Sequence, residues 1–241
     1  QPQPGHVHMF CAPGDDPLAL AMAERGGLLN VARNVYMHKI AIGGEYPKGT
    51  VDIDWTATEN VNALARAKGV PLSEITAIVL DRPRHAALIE ELRGTGVAVK
   101  LISDGDIAGV IHAVSTEDTG IDIYLGSGGA PEGVLAAAAL RCIGGQMQGK
   151  LILDTPAKRE RAVEMGITNP NRIYDVTELA AGDVLVAATG VTDGQLLDGV
   201  RRKGPLIRTE SLVLRSKTGT ARRVIAEHRA EKWLEKDSHR D

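Results

Sequence analysis

The stretch Ile121-Asp122-Ile123-Tyr124-Leu125-Gly126-Ser127-Gly128-Gly129-Ala130-Pro131-Glu132-Gly133 decides the fold. Residues 121–125 form a short, mostly apolar run of the kind that makes a buried strand. A glycine loop follows at 126–133, and Pro131 sits near the first turn of an apolar helix reaching Cys142. Strand, loop and helix in this order are the repeating unit of an α/β domain. The same alternation recurs on both sides. Upstream, Thr56-Ala57-Thr58-Glu59 fits a capping box, and Val61, Leu64 and Ala65 then recur at helical spacing. Residues 77–80 read as a strand buried on both faces, 85–93 as a helix, 97–102 as a strand and 106–114 as a helix. Downstream, 150–153 and 184–188 read as further strands, and 211–215 and 220–225 flank a turn at Lys217-Thr218-Gly219. The pattern predicts a layered α/β domain with a largely parallel or mixed sheet. The first 30 residues fit it less well, and 227–241 read as an exposed, frayed helix.

Composition narrows the function classes. The chain has 241 residues, with 28 Lys and Arg against 31 Asp and Glu, so its net charge of −3 argues against nucleic acid or an anionic membrane as partner. No apolar run reaches the roughly 18 residues that cross a bilayer. Only 7 aromatic residues are present (2 Trp, 4 Tyr, 1 Phe), so the core must be aliphatic. Cys11 and Cys142 make no disulfide framework, which fits a cytoplasmic protein. The chain opens with Gln, which reads as a processed, trimmed or partial product.

Chemistry-bearing residues gather just after predicted strands, where open α/β sheets place ligand crevices. Asp81-Arg82-Pro83-Arg84-His85 follows strand 77–80, and Ser103-Asp104-Gly105-Asp106 follows strand 97–102. The glycine loop follows strand 121–125, and Thr189-Gly190-Val191-Thr192-Asp193-Gly194 follows strand 184–188. Four such loops on one sheet edge would converge on one pocket. Glu132 at a helix start reads either as part of a phosphate cradle or as a plain dipole partner in a tight turn. Asp104 and Asp106 suit sugar hydroxyls or a hard cation, and equally an ordinary turn. Arg82 and Arg84 suit a phosphate, and equally a surface ion-pair cluster. His85 reads as a cap or supporting residue. His6 and His8 read as a solvated tail, Arg201-Arg202-Lys203 as a solvated loop, and Trp55, Trp233 and Cys142 as packing residues.

Gly128-Gly129-Ala130-Pro131-Glu132-Gly133-Val134, followed by Cys142-Ile143-Gly144-Gly145-Gln146-Met147-Gln148-Gly149, resembles the bacterial class II fructose-1,6-bisphosphatases. Some members of that family also hydrolyse sedoheptulose 1,7-bisphosphate. Tyr36-Met37-His38-Lys39-Ile40, Leu80-Asp81-Arg82-Pro83-Arg84-His85, Ser103-Asp104-Gly105-Asp106 and Thr209-Glu210-Ser211-Leu212-Val213 extend the resemblance in order across roughly residues 18–230. It implies the αβαβα layers of the lithium-sensitive phosphatases and Mn²⁺ or Mg²⁺ at the active site. It implies substrate contacts at Tyr36, Arg82, Pro83, Arg84, Asp104, Gly105, Asp106 and Gly129, with Glu132 as a metal ligand. The reaction implied is gluconeogenic hydrolysis of the 1-phosphate of a sugar bisphosphate.

The resemblance also marks a departure. Family members carry further acidic metal ligands upstream, then an Asp-Pro-Leu/Ile-Glu-Gly-Thr motif. This chain has Asp16-Pro17-Leu18-Ala19-Leu20, which keeps the first acid as a second candidate ligand and has Ala19 in place of the Glu. The expectation is a truncated or divergent member with an incomplete first domain: residues 1–56 a remnant of the metal-site domain, residues 57–241 the substrate-binding domain. Residues 20–56 are expected to expose apolar surface, favouring a homo-oligomer. Catalysis in this chain is expected to be very weak, and a non-catalytic sugar-phosphate-binding protein is the alternative. A third reading, hydrolysis of inositol or sugar monophosphates, is less favoured by the downstream motifs.

Overall fold

The computed structural model describes residues 7–10, 18–31 and 34–234. The elements run in the order β1 (Val7–Phe10), β2 (Leu18–Ala23), β3 (Tyr36–Ile42), α1 (Ala57–Lys68), β4 (Thr76–Leu80), α2 (Ala86–Gly94), β5 (Ala98–Ile102), α3 (Asp106–Ala113), α4 (Thr116–Thr119) and β6 (Ile123–Gly129). Then come α5 (Ala130–Ile143), β7 (Gln146–Ile152), α6 (Pro156–Glu164), β8 (Ile173–Asp175), α7 (Val176–Leu179), β9 (Val184–Thr189), β10 (Arg201–Lys203), β11 (Leu206–Arg215), β12 (Thr220–Arg229) and α8 (Ala230–Leu234).

The first sheet has the order β5-β4-β6-β3-β7-β8. It is mixed: β4 pairs parallel with β5 and β6, whereas β3 pairs antiparallel with β6 and β7. The second sheet is antiparallel, in the order β1-β2-β9-β11-β10 with β12 on β11. On the outer side of the first sheet, Val61 and Leu64 of α1 and Ile89 and Leu92 of α2 share a core with Ile40, Ile42, Val79 and Leu125. On its other side, α3 and α5 fill the space between the two sheets. The described residues therefore stack as helix, sheet, helix, sheet, in keeping with the expected α/β layers.

Why α5 can occupy the middle is written in its composition. Residues 133–140 are buried all round, and four of them are the consecutive alanines Ala136, Ala137, Ala138 and Ala139. A helix apolar on every side belongs inside the protein, and alanine lets two sheets approach it closely. Entry into α1 is local: Thr56 Oγ1 accepts from the Glu59 N–H at 3.1 Å while the Glu59 carboxylate accepts from the Thr56 N–H at 2.8 Å, the expected capping box.

Several expectations are corrected by long-range pairing. β3 lies inside the first sheet with Met37, Ile40, Ala41 and Ile42 buried, so this part of 20–56 leaves Tyr36 as its one exposed large apolar side chain. The second sheet does expose an apolar face, at Leu18 (39%), Met22 (44%) and Leu185 (43%). His8 is in strand β1 rather than a tail, Arg201-Arg202-Lys203 form strand β10, and residues 227–229 complete β12 rather than opening a helix. Cys142 is buried as expected, whereas Trp55 is 44% exposed and is no core residue. Cys11, His6 and Asp16 lie outside the described residues.

If α5 is clamped between two sheets, Ala137→Leu overpacks it and lowers the unfolding free energy by about 1–3 kcal/mol. Urea unfolding checks this, and an unchanged midpoint would mean a loose middle layer.

Candidate active site at the edge of the first sheet

β6 does not end at Leu125. It continues through the glycines to Gly129, with Ser127 opposite His38, Gly128 opposite Met37 and Gly129 opposite Tyr36. The expected glycine loop is therefore strand, and α5 starts directly after it. Apolar patterning stops at Leu125, but β3 supplies a full antiparallel ladder beyond that point. Glycine is required here by close approach. A side chain at Gly128 would run into the Asp106 carboxylate, and one at Gly129 into the Glu132 carboxylate.

Strand pleating sends Lys39 to the α3/α5 side, where it is 2% exposed. Its ammonium is ion-paired with Asp106, the first residue of α3, and donates to the Gly129 carbonyl at 3.2 Å. The Tyr124 hydroxyl donates to the other Asp106 oxygen. Both oxygens of Asp106 are thus engaged inside the protein, beneath the segment that the resemblance gives to the sugar.

Arg84 faces the other side. Its Nε and Nη2 donate to the Ser127 carbonyl at 3.0 and 2.7 Å, and its guanidinium lies 5.4 Å from the centre of the Tyr36 ring. His85, also buried, holds this arrangement. The Leu80 carbonyl, 2.8 Å from Nδ1, can only accept, so Nδ1 carries the proton. Nε2 is then free to accept from the Ser127 N–H at 2.9 Å. Burial keeps the His85 imidazole below its ordinary pKa, which favours this neutral form. Arg82 reaches Asp104 at 3.5 Å, and Pro83 opens the tight turn between the two arginines. Gly105 caps α3 in a left-handed conformation.

Glu132, in the first turn of α5, is half-buried with Oε2 fully enclosed and without a hydrogen-bond partner. Burial pushes its carboxyl above the usual carboxylate range; a hydrogen bond from its own backbone N–H and then nearby Lys39 oppose that shift, and Asp106 and Asp104 add to it. An enclosed, unpartnered carboxylate oxygen suits a cation. No group of three His, Cys, Asp or Glu among the described residues is placed to hold a metal. One such oxygen falls short of the six or more that a hard divalent ion takes, so the described residues do not by themselves compose a metal centre.

The predicted site residues Tyr36, Arg82, Pro83, Arg84, Asp104, Gly105, Asp106, Gly129 and Glu132 are thus linked by consecutive contacts at one edge. The fourth loop reaches this region from the second sheet, since β9 belongs there. Asp193 and Gly194 line a cavity of about 180 Å³ with Ser103, Asp104 and Gly105. Sequence reasoning missed the roles of Lys39 and Ser127. The available signal for Lys39 was a lysine between Met37 and Ala41 in the alternating pattern of an inward strand face.

A model of the family described as "Bacterial fructose-1,6-bisphosphatase, glpX-encoded" matches residues 14–228. The chain belongs to this bacterial fructose-1,6-bisphosphatase family. It is 44% identical over 225 residues to the D-fructose 1,6-bisphosphatase class 2/sedoheptulose 1,7-bisphosphatase of Synechocystis sp., covering 88% of this chain and 64% of that protein. The proteins of the same name from Microcystis aeruginosa and Synechococcus elongatus are each 45% identical over 222 residues, covering 87% of this chain and 64% of theirs. The chain thus spans a little under two thirds of the length of these family relatives.

Two outcomes follow from this geometry. Lys39→Met strands a buried carboxylate and should lower stability by about 3–5 kcal/mol, with Asp106→Asn in the same chain recovering part of the loss. Urea unfolding of the single and double variants reads both. Second, the Glu132 carboxyl is raised above its ordinary 4.5 in the folded state. Below that pH both states are protonated. As pH rises towards the folded pKa, the unfolded chain ionises first and stability falls. Without metal, Glu132→Gln should therefore melt higher than wild type at about pH 7.5, the gap closing near pH 4. Parallel melting curves at every pH would refute it.

Proposed function

We propose that this edge binds a sugar bisphosphate, fructose 1,6-bisphosphate or sedoheptulose 1,7-bisphosphate, and that its reaction is hydrolysis of the 1-phosphate in gluconeogenesis. The chain would then be a phosphoric monoester hydrolase. The observation that carries the reading is Arg84. Its guanidinium is held by the Ser127 carbonyl and lies against the Tyr36 ring, so an oriented cation stands at the end of β6, the strand that runs directly into the helix carrying Glu132. Prepositioned guanidinium groups bind phosphate with little loss of side-chain freedom. The names of the relatives support the same substrates.

Mn²⁺ or Mg²⁺ is the cofactor of this reading, with Glu132 and Asp16 as its ligands from this chain. No step of hydrolysis is assigned to the described residues, whose part is to bind and orient the sugar phosphate. A non-catalytic sugar-phosphate-binding protein is the second reading, favoured by the absence, among the described residues, of three acidic, His or Cys side chains placed to hold a metal. No helix among the described residues is long and apolar enough to cross a membrane, and the reading places the protein in the cytoplasm. The exposed Leu18, Met22 and Leu185 support a homo-oligomer.

Calorimetry with fructose 6-phosphate and phosphate release from fructose 1,6-bisphosphate with Mn²⁺ test this together. Fructose 6-phosphate should bind, and Arg84→Ala should weaken it about tenfold or more. Very weak or no turnover is expected. Turnover at about 10 s⁻¹, the rate of an ordinary enzyme, would overturn the binding-only reading. Absence of binding would overturn the clamp itself.

A further inference from the structure

On the α1/α2 side of the first sheet lies a cavity of about 240 Å³. Its lining includes His38, Ile40, Trp55, Arg84, Leu88 and Leu125. Its chemistry does not match a sugar. A bisphosphorylated ketose carries oxygen on every carbon and gains little from Ile40, Leu88, Leu125 and an indole. The wall is also prebuilt. Trp55 lies in the segment before α1, where buried Asn60 donates to the carbonyls of Asp52 at 2.9 Å and Thr56 at 3.0 Å and accepts from the Asp52 N–H at 2.8 Å. An exposed tryptophan on a segment tied down this firmly offers a flat apolar face at little entropic cost.

The polar part of the lining is cationic or neutral. Arg84 has Nε and Nη2 committed to Ser127, and no bond to its Nη1 is made among the described residues. Burial, and then Lys150, hold the His38 imidazole below its ordinary pKa, so it is uncharged at neutral pH. The nearby carboxylate of Asp54 is paired with Lys150 at 2.6 Å. Nothing in this set repels an anion.

We propose that this cavity is a second ligand site, for a small phosphorylated or phosphonylated anion with a flat, apolar ring. The anionic head pairs with Arg84, and the ring lies against Trp55, Leu88 and Leu125. Arg84 also belongs to the sugar-phosphate clamp, so the two ligands compete for one guanidinium. Occupancy of the cavity is then a means of excluding the sugar.

Calorimetry of the whole chain without added metal, using phenylphosphonate and methylphosphonate as probes, tests this. The two share a head group that hydrolysis cannot remove, and only one has a ring. Phenylphosphonate should bind about tenfold or more tighter. Trp55→Ala should abolish that preference while leaving methylphosphonate affinity unchanged, Leu88→Ala should reduce it, and fructose 6-phosphate should displace phenylphosphonate. Equal affinity of the two probes, no binding of phenylphosphonate, or a preference untouched by both variants overturns the proposal. Fructose 6-phosphate titrated into the same preparation separates the two readings. Sugar binding without a ring preference sinks the second site alone, and a ring preference without sugar binding sinks the sugar reading alone.

Discussion

The buried ion pair between Lys39 and Asp106 is the constraint around which the site is arranged. A lysine on an interior strand is tolerated only if its charge is matched and its protons are used. Asp106 matches the charge, the Gly129 carbonyl takes a further proton, and Tyr124 satisfies the remaining carboxylate oxygen. The pair thereby ties the first sheet to α3 and sets the height of the β6 end against the helix layer. Gly128 follows from it, because a side chain there would meet the Asp106 carboxylate, whereas at Gly129 the nearest group is the Glu132 carboxylate. Its value lies in specifying one arrangement, since a buried ion pair adds little net stability over well-packed apolar residues.

Pleating then divides the labour between the two faces of β3 and β6. One face carries Lys39 towards Asp106. The other carries His38 and, across the ladder, Ser127 towards Arg84 and His85. Because neighbours on a strand point opposite ways, the Arg84 guanidinium and the buried Lys39–Asp106 pair lie on opposite faces of the same ladder. At the edge β6 gives way to α5, and Glu132 enters the first helical turn.

Local structure was legible wherever the responsible residues are neighbours in the chain. The capping box at Thr56 and Glu59, the strand at 77–80 and the all-apolar α5 depend on contacts within a few residues or on composition alone. The family resemblance was legible for the same reason, since its motifs are short and ordered. What was misread depends on distant partners. The glycines of β6 become strand only because β3, some ninety residues earlier, pairs with them. Arg201-Arg202-Lys203 become strand because β11 does the same. Trp55 reads as a packing residue from sequence, but it stands exposed on a segment anchored by Asn60 through hydrogen bonds that no hydrophobic pattern reveals.

By itself the sequence determined the alternation of helices and strands, the aliphatic core and the family. Only the tertiary structure decided that Asp106 is occupied by Lys39 and Tyr124, that Ser127 and His85 aim Arg84, and that the β9 loop arrives from a second sheet. The physical reason is that propensity and capping act over a turn or two of chain. Ion pairing in a low-dielectric interior and ladder pairing instead join residues whose separation in sequence carries no signal.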